Sequence, residues 1–285
     1  MDNTRADLDH EIPNGSRLYF SKSASLKREL ESFSAAVFQK NGFEEIITPH
    51  FSYHQHLSVA SDTILSFKDS TNHDISLRAD STVDVVRIVL RRLKNDDLKR
   101  VFYIQPVFKY PNSEFYQIGA EFIGERNLSL AIEITDTILS EFKIDSFLQI
   151  SNIEIPKQIC KILNIPIQIF EKGDISQFLS SDVKWLRELA RINSAGDIEN
   201  IKKLVPSELI KPLESMESLA SGHKNAKFAP LYYSRMRYYD DLFFRFISGN
   251  SVLCSGGDYE IDGLESSGFA LMSDAVIEKI LEKKD

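Results

Sequence analysis

The sequence predicts an α+β fold: an antiparallel sheet flanked by helices, with a helical insertion. Three observations carry that prediction. Segments of period-two alternation follow one another through short loops, as in RVFYIQPVFKY and FYQIGAEFIG, which favours an antiparallel sheet over a doubly wound parallel one. Helical periodicity appears before, between and after the strands. From about residue 155 to 222 the strand signals stop, and short helical segments broken by proline and glycine take over. The expected organisation is a core of residues 1–154 and 223–285 interrupted by an insertion at 155–222.

Each element has its own signal. SKSASLKRELESFSAAVFQKNGF reads as a capped helix, with Leu26, Leu30, Phe33 and Val37 at helical spacing and Gly42 placed to end it. EEIITPHF reads as a strand. DISLRADST reads as another, running into a helix at STVDVVRIVLRRL. The two strands that follow are joined by a loop containing Pro111, Asn112 and Ser113. LSLAIEITDTILSEFK is helical, with Ile134, Ile138 and Phe142 on one stripe, and FLQISNI is strand-like. The insertion is expected to hold helices at PKQICKILNIP, SSDVKWLRELARI, DIENIKKLV and SELIKPLESMESLA. Strands return at PLYYSRMRYY and DDLFFRFISGNSVLCSGGDYE, where Gly249-Asn250 suits a hairpin turn, and SDAVIEKILEKK forms a last helix.

Composition narrows the function. The chain has 285 residues, 42% of them hydrophobic, which supports a sizeable core. Its apolar runs are too short to span a bilayer, and its polar, acidic N-terminus is no signal peptide, so a cytoplasmic protein without a membrane partner is expected. Cys160 and Cys254 set neither a disulfide framework nor a zinc spacing. A net charge of −8 argues against non-specific nucleic-acid binding, and the basic stretch 87–100 reads as a solvated helix face with interleaved acids. There is no phosphate-binding glycine loop, no dinucleotide fingerprint and no H-E-x-x-H, so no cofactor is expected. His50, His54 and His56 lack partner ligands at metal spacing and read as loop or surface histidines, so no metal is expected either.

The polar faces of the strands are the informative anomaly. In FYQIGAEFIG, Ile118, Ala120 and Phe122 take one face, while Gln117, Gly119 and Glu121 take the other. Arg78, Asp80 and Thr82 alternate in the same way in SLRADST, and Gln105 and Lys109 share a side with Val107. A buried carboxylate requires a partner. Two readings stay open: a structural ion pair between Glu121 and Lys109, or a cavity holding a ligand with an ammonium or imidazole group.

In chain order, NGFEEIITP, LRADST, VFKY with QIGAEFIG, RYYDDLFFRF, SGGDYEIDGL and SSGFAL resemble the landmarks of histidyl-tRNA synthetases, across nearly the whole chain. The resemblance implies a class II synthetase core: an antiparallel sheet carrying an amino-acid and ATP site, with a helical insertion. By residue match it implies a histidine pocket at Asp80, Thr82, Gln117 and Glu121, with Tyr238 lining it; Asp80 stands where the family usually has glutamate. Gly119 is expected to keep the floor of that pocket clear. The departures concern catalysis. Lys109 replaces the arginine that grips the ATP α-phosphate, which loses the planar fork. Ser234 and Arg237 stand in the R-G-L-D-Y-Y stretch in place of its arginine and aspartate, and Ala275 replaces the final arginine. Adenylation needs fixed positive charge around the phosphoryl group, so no catalytic residues are expected.

The match ends with the core, which implies no anticodon-binding domain and no tRNA partner. A synthetase-like core of this kind resembles the regulatory subunits of ATP phosphoribosyltransferase. That resemblance implies a homodimer, inside a hetero-oligomer with a short-form catalytic subunit, that carries histidine feedback in the first step of histidine biosynthesis. Two other readings compete: a shortened class II ligase that activates an amino acid, and a synthetase-like module in translation control.

Overall fold

The computed structural model describes residues 11–95, 97–173, 176–223, 226–234 and 236–283. The acidic residues 1–10, Arg235 and Lys284, the last residue of the expected C-terminal helix, lie outside the described residues. The chain divides into two compact units, one built up to Glu121 and again from Leu271, the other from Phe122 to Ala270.

The first unit opens with α1 (Ser21–Lys40), which buries Leu26, Leu30, Ser34 and Phe38, while Phe33 and Val37 are only half-buried. The buried stripe is thus rotated by about one residue from the expected one. Asn41 caps the helix and Gly42 follows at φ 79°, as expected. The expected strand at 44–51 shortens to β1 (Glu44–Glu45), which pairs in parallel with β5 (Arg100–Lys109). Beyond β1 the chain continues without a ladder apart from β2 (Phe51–Ser52). β2 and β3 (Ser66–Lys68) flank β4 (Asp74–Leu77) in a separate antiparallel three-stranded sheet. β4 stops before Arg78, and Thr82 already opens α2 (Thr82–Arg87), which continues into a π-helical stretch Ile88–Leu93. Arg78, Asp80 and Thr82 therefore do not share a strand face. β6 (Ser113–Phe122) lies beside β5, and α10 (Ser273–Glu282) packs on α1.

The second unit holds α3 (Leu128–Glu141), whose N-cap Asn127 accepts a hydrogen bond from the amide of Leu130, and β7 (Phe147–Asn152). Between β7 and Gly222 lie α4 (Glu154–Leu163), α5 (Gln168–Glu171), α6 (Ser176–Leu179), α7 (Lys184–Leu189), α8 (Ile198–Ile201) and α9 (Ile210–Leu219), with no strand among the described residues. β8 (Lys227–Phe228) pairs in parallel with β7, so the sheet is mixed at this edge. The strand expected at PLYYSRMRYY does not form: the described residues 230–238 are irregular, and β9 begins at Tyr239. β9 (Tyr239–Ser248) and β10 (Ser251–Ile261) make the expected hairpin, with Gly249 at φ 56° in the two-residue turn and Ser248 opposite Ser251. β11 (Leu264–Met272) lies next to β10, giving the order β11-β10-β9-β7-β8 in this unit.

Candidate functional site

The turn between β4 and α2 is built by polar contacts. Gln55 clamps it from a neighbouring loop: its Oε1 accepts from the amides of Ala79 (2.7 Å) and Asp80 (2.8 Å). Its Nε2 donates to the Asp80 carbonyl (3.1 Å) and to Asp84 Oδ2 (2.7 Å), and the Ser52 hydroxyl donates to the other Asp84 oxygen at 2.8 Å. Burial pushes the Asp84 carboxyl up, against those hydrogen bonds, which hold it down. A loop glutamine carries no pattern signal, so sequence reasoning missed this clamp.

Arg78 is fully buried and faces away from any ligand role. Its guanidinium donates to the carbonyls of Pro106 (2.8 and 3.0 Å), Thr48 (3.1 Å) and Pro49 (2.9 Å), to the Thr48 hydroxyl (3.0 Å), and lies 3.1 Å from His50 Nδ1. Burial lowers its pKa to about 10, partly offset by the charges of Asp84, Tyr103 and Asp80. The cation remains, held by oxygens rather than by a carboxylate contact.

Asp80, Thr82, Gln117 and Glu121 are all buried in the same unit. Asp80 Oδ1 accepts from the Thr82 amide at 3.1 Å, and the Ser81 hydroxyl donates to Gln117 Oε1 at 2.9 Å. Glu121 Oε1 accepts from the hydroxyl of Tyr103 at 3.0 Å, and the Thr82 side chain hydrogen-bonds the same phenol. Burial, then the charges of Glu121 and Asp80, hold that phenol well above its ordinary pKa, so it acts as a donor. Glu121 is therefore partnered by a tyrosine from β5. Lys109 does not pair with it; its ammonium lies 5.4 Å from the Phe115 ring centroid.

Gly119 has a different role from the expected one. A Cβ there would lie 2.5 Å from both Cζ and the hydroxyl oxygen of Tyr103. The space above this glycine is occupied by the tip of the tyrosine ring, and glycine is what lets that ring reach Glu121.

The remaining sequence-matched positions are divided between the two units. Lys109 ends β5 and Ala275 sits in the first turn of α10, both in the first unit. In the second unit, the buried Ser234 hydroxyl accepts from the Met236 amide at 3.2 Å, which spends the side chain on a local turn. Arg237 is exposed in the turn before β9. Tyr238 packs edge-on against Tyr259, with centroids 5.6 Å apart, and against Tyr239 at 4.5 Å. Among the described residues no group of three or more His, Cys, Asp or Glu is placed to hold a metal ion.

A second titratable cluster lies on β9 to β11. Arg126 reaches Asp240 and Asp241 at 3.3 Å and Glu265 at 3.6 Å. Asp258 is 4% exposed and its Oδ1 has no hydrogen-bond partner. Burial pushes its carboxyl up to about 7, with the neighbouring acids adding to the rise and Arg126 opposing it. Nothing in the alternation of DYEID marked that aspartate as different from its neighbours.

The sequence profile of the histidyl-tRNA synthetase family matches residues 19–276. An ATP phosphoribosyltransferase regulatory subunit from Wolinella succinogenes is 43% identical over 98% of this chain and 98% of its own. A protein of the same description from Helicobacter hepaticus is 37% identical over 96% of this chain and 99% of its own. Among solved structures, an ATP phosphoribosyltransferase regulatory subunit/histidyl-tRNA synthetase from Bacillus halodurans superposes with a TM-score of 0.82 at 20% identity, covering 95% of this chain and 83% of that one. A histidine–tRNA ligase subunit from Alicyclobacillus acidocaldarius gives 0.79 at 16% identity, covering 96% and 98%. At those identities the structures establish the fold, a class II synthetase-like mixed sheet flanked by helices, and the sequence relatives establish the family. The chain belongs to the ATP phosphoribosyltransferase regulatory subunit family, a non-catalytic branch of the histidyl-tRNA synthetase fold.

Proposed function

We propose that this chain binds a short-form catalytic subunit of ATP phosphoribosyltransferase, raises its activity, and transmits feedback by histidine at the first step of histidine biosynthesis. The observation that carries the reading is 43% identity, over 98% of each chain, to a protein of that description. Chemistry supports it: Lys109 keeps a charge without the planar fork and lies over Phe115, Ser234 is committed to its turn, and Ala275 has no charge, so the fixed cations an adenylation site requires are absent or weakened at these positions. The competing ligase reading would need those cations. The chain would work in the cytoplasm as a homodimer within the hetero-oligomer, with residues 155–222 as an insertion in the synthetase-like core.

Histidine would be read at Asp80, Thr82, Gln117 and Glu121. Tyr103 already donates to one Glu121 oxygen, so the ligand would share that carboxylate with the phenol. Gln117 keeps its amide nitrogen and one carbonyl lone pair beyond the bond from Ser81. Feedback of this kind corresponds to a coupling of about 1–3 kcal/mol, or roughly 5–150-fold in affinity.

The test is co-expression with a short-form catalytic subunit, followed by size-exclusion chromatography and a phosphoribosyl-transfer assay with and without histidine. Co-elution, a higher rate and inhibition by histidine are expected. A chain that stays monomeric and leaves the rate unchanged would overturn the reading. Calorimetry with histidine on wild type and Glu121→Gln separates a live pocket, whose heat the substitution removes, from a vestigial one that gives none.

A further inference from the structure

The second unit contains a cavity of about 820 Å³, within the size range of small-molecule sites. Ser234 and Met236, from the stretch that matches R-G-L-D-Y-Y, also line it, but none of the residues matched to a histidine contact does. Its floor is the face of β9 that carries Phe243 and Arg245, and the residues opposite Arg245 on the neighbouring strands are Gln149 of β7 and Ser255 of β10. Phe170 of α5 and the irregular segment with Tyr232 and Tyr233 line the rest of the wall.

Arg245 is the unexplained group. An inward arginine on a central strand normally meets a carboxylate, yet both cross-strand neighbours here are neutral. Its Nε donates to Gln149 Oε1 at 3.0 Å, its Nη2 bonds to the same oxygen, and its guanidinium carbon stands 4.0 Å from the centroid of the Tyr232 ring. These contacts fix the plane of the fork and leave Nη1 without an acceptor among the described residues. A rigid, partly desolvated guanidinium on the wall of a cavity that also carries Phe170, Phe228, Tyr232, Tyr233 and Phe243 is an arrangement that recognises a planar anion.

Two other charges line the cavity. Arg191 is neutralised by Glu188 at 2.9 Å, and the exposed Glu171 raises the pKa of the Tyr233 phenol after burial does. The Glu171 carboxylate disfavours a dianion. We propose that this cavity binds a small aromatic monocarboxylate, its carboxylate on the free edge of the Arg245 guanidinium and its ring against the aromatic wall. Asn193 and the Tyr233 hydroxyl serve polar substituents on that ring. This site shares no residue with the Asp80–Glu121 cluster and does not rest on the assignment of the partner.

The test is calorimetry on the full chain with 4-hydroxybenzoate, indole-3-acetate and phenyl phosphate. Saturable binding of at least one carboxylate is expected, tighter than that of phenyl phosphate. Arg245→Gln should weaken it about tenfold or more, as loss of a charge-assisted bidentate contact does. A second measurement needs no variant: phenylglyoxal modification of Arg245, followed by mass spectrometry, should slow in the presence of 4-hydroxybenzoate. No heat with any probe, equal affinity in Arg245→Gln, or tighter binding of phenyl phosphate than of both carboxylates would each overturn the proposal, as would unprotected modification.

Discussion

Arg78 and Arg245 are both arginines drawn into protein, and the two units treat them in opposite ways. Around Arg78, three backbone carbonyls, a hydroxyl and an imidazole surround the guanidinium, so its cost of leaving water is offset within the chain itself. Around Arg245, one amide oxygen and one aromatic ring orient the fork and leave an edge of it open to a cavity. A cation whose acceptors are all internal is scaffolding. One that is held rigid yet left incomplete is where an external anion gains most.

The same contrast separates the carboxylates. Glu121 and Asp80 sit among donors from Tyr103 and the Thr82 amide, whereas Asp258 is equally buried and keeps an oxygen with no partner. Inspecting burial alone would rank these groups together. Counting partners divides them.

The sharpest way to break the comparison is Arg78→Met. It strands the carbonyls of Thr48, Pro49 and Pro106 and should cost about 4 kcal/mol or more in denaturant unfolding. A loss near 1 kcal/mol would mean that Arg78 is no scaffold. Next comes Gly119→Ala, whose methyl must displace the Tyr103 ring; a loss of roughly 2–3 kcal/mol is expected, partly recovered when Tyr103→Leu is added. An undiminished melting temperature in Gly119→Ala would show that the ring moves freely.

Asp258 sharpens the comparison through pH. Its folded pKa, about 7, lies above the usual carboxylate value, so the folded state binds the proton more tightly. The stability this group contributes is complete below about pH 4 and is lost as pH rises through 7. Asp258→Asn should therefore gain roughly 1–3 kcal/mol over wild type at pH 8 and little at pH 4, read from urea midpoints at both values. A gain independent of pH would remove the titration argument. The smallest effect belongs to Arg245→Gln, which should change stability by less than about 1 kcal/mol because no carboxylate is left unpaired. A loss comparable to that of Arg78→Met would make the two arginines alike.

Much of this architecture is legible in the sequence, for reasons that also explain the errors. Long amphipathic segments such as α1 and α3, and alternating strands such as β6 and β9, repeat their pattern often enough to be read. The four-residue helices α5 and α6 do not complete a second turn, so no period exists to detect. PLYYSRMRYY is rich in β-forming aromatics, but Tyr232 is used to stack on Phe243 and Arg245, and that tertiary packing overrides propensity. The polar run at Gln117, Gly119 and Glu121 was visible as an anomaly. Its partner was not, because Tyr103 lies on another strand and looks like ordinary core. Arg245 did leave a signal: a charge between phenylalanines in LFFRFI, at an inward position.

The packing of α10 on α1 is fastened by one carboxylate. Asp274, at the start of α10, receives the Tyr19 hydroxyl on one oxygen and the Tyr116 amide at 2.9 Å on the other, with Arg17 3.7 Å away. It thus ties residues near 17–19 and the middle of β6 to a helix made some 250 positions after the first of them. During synthesis, Asp274 leaves the ribosome only after every residue of the second unit has emerged. The second unit therefore has its whole sequence available while the first still waits for its final fastening, and vectorial folding should begin in the middle of the chain.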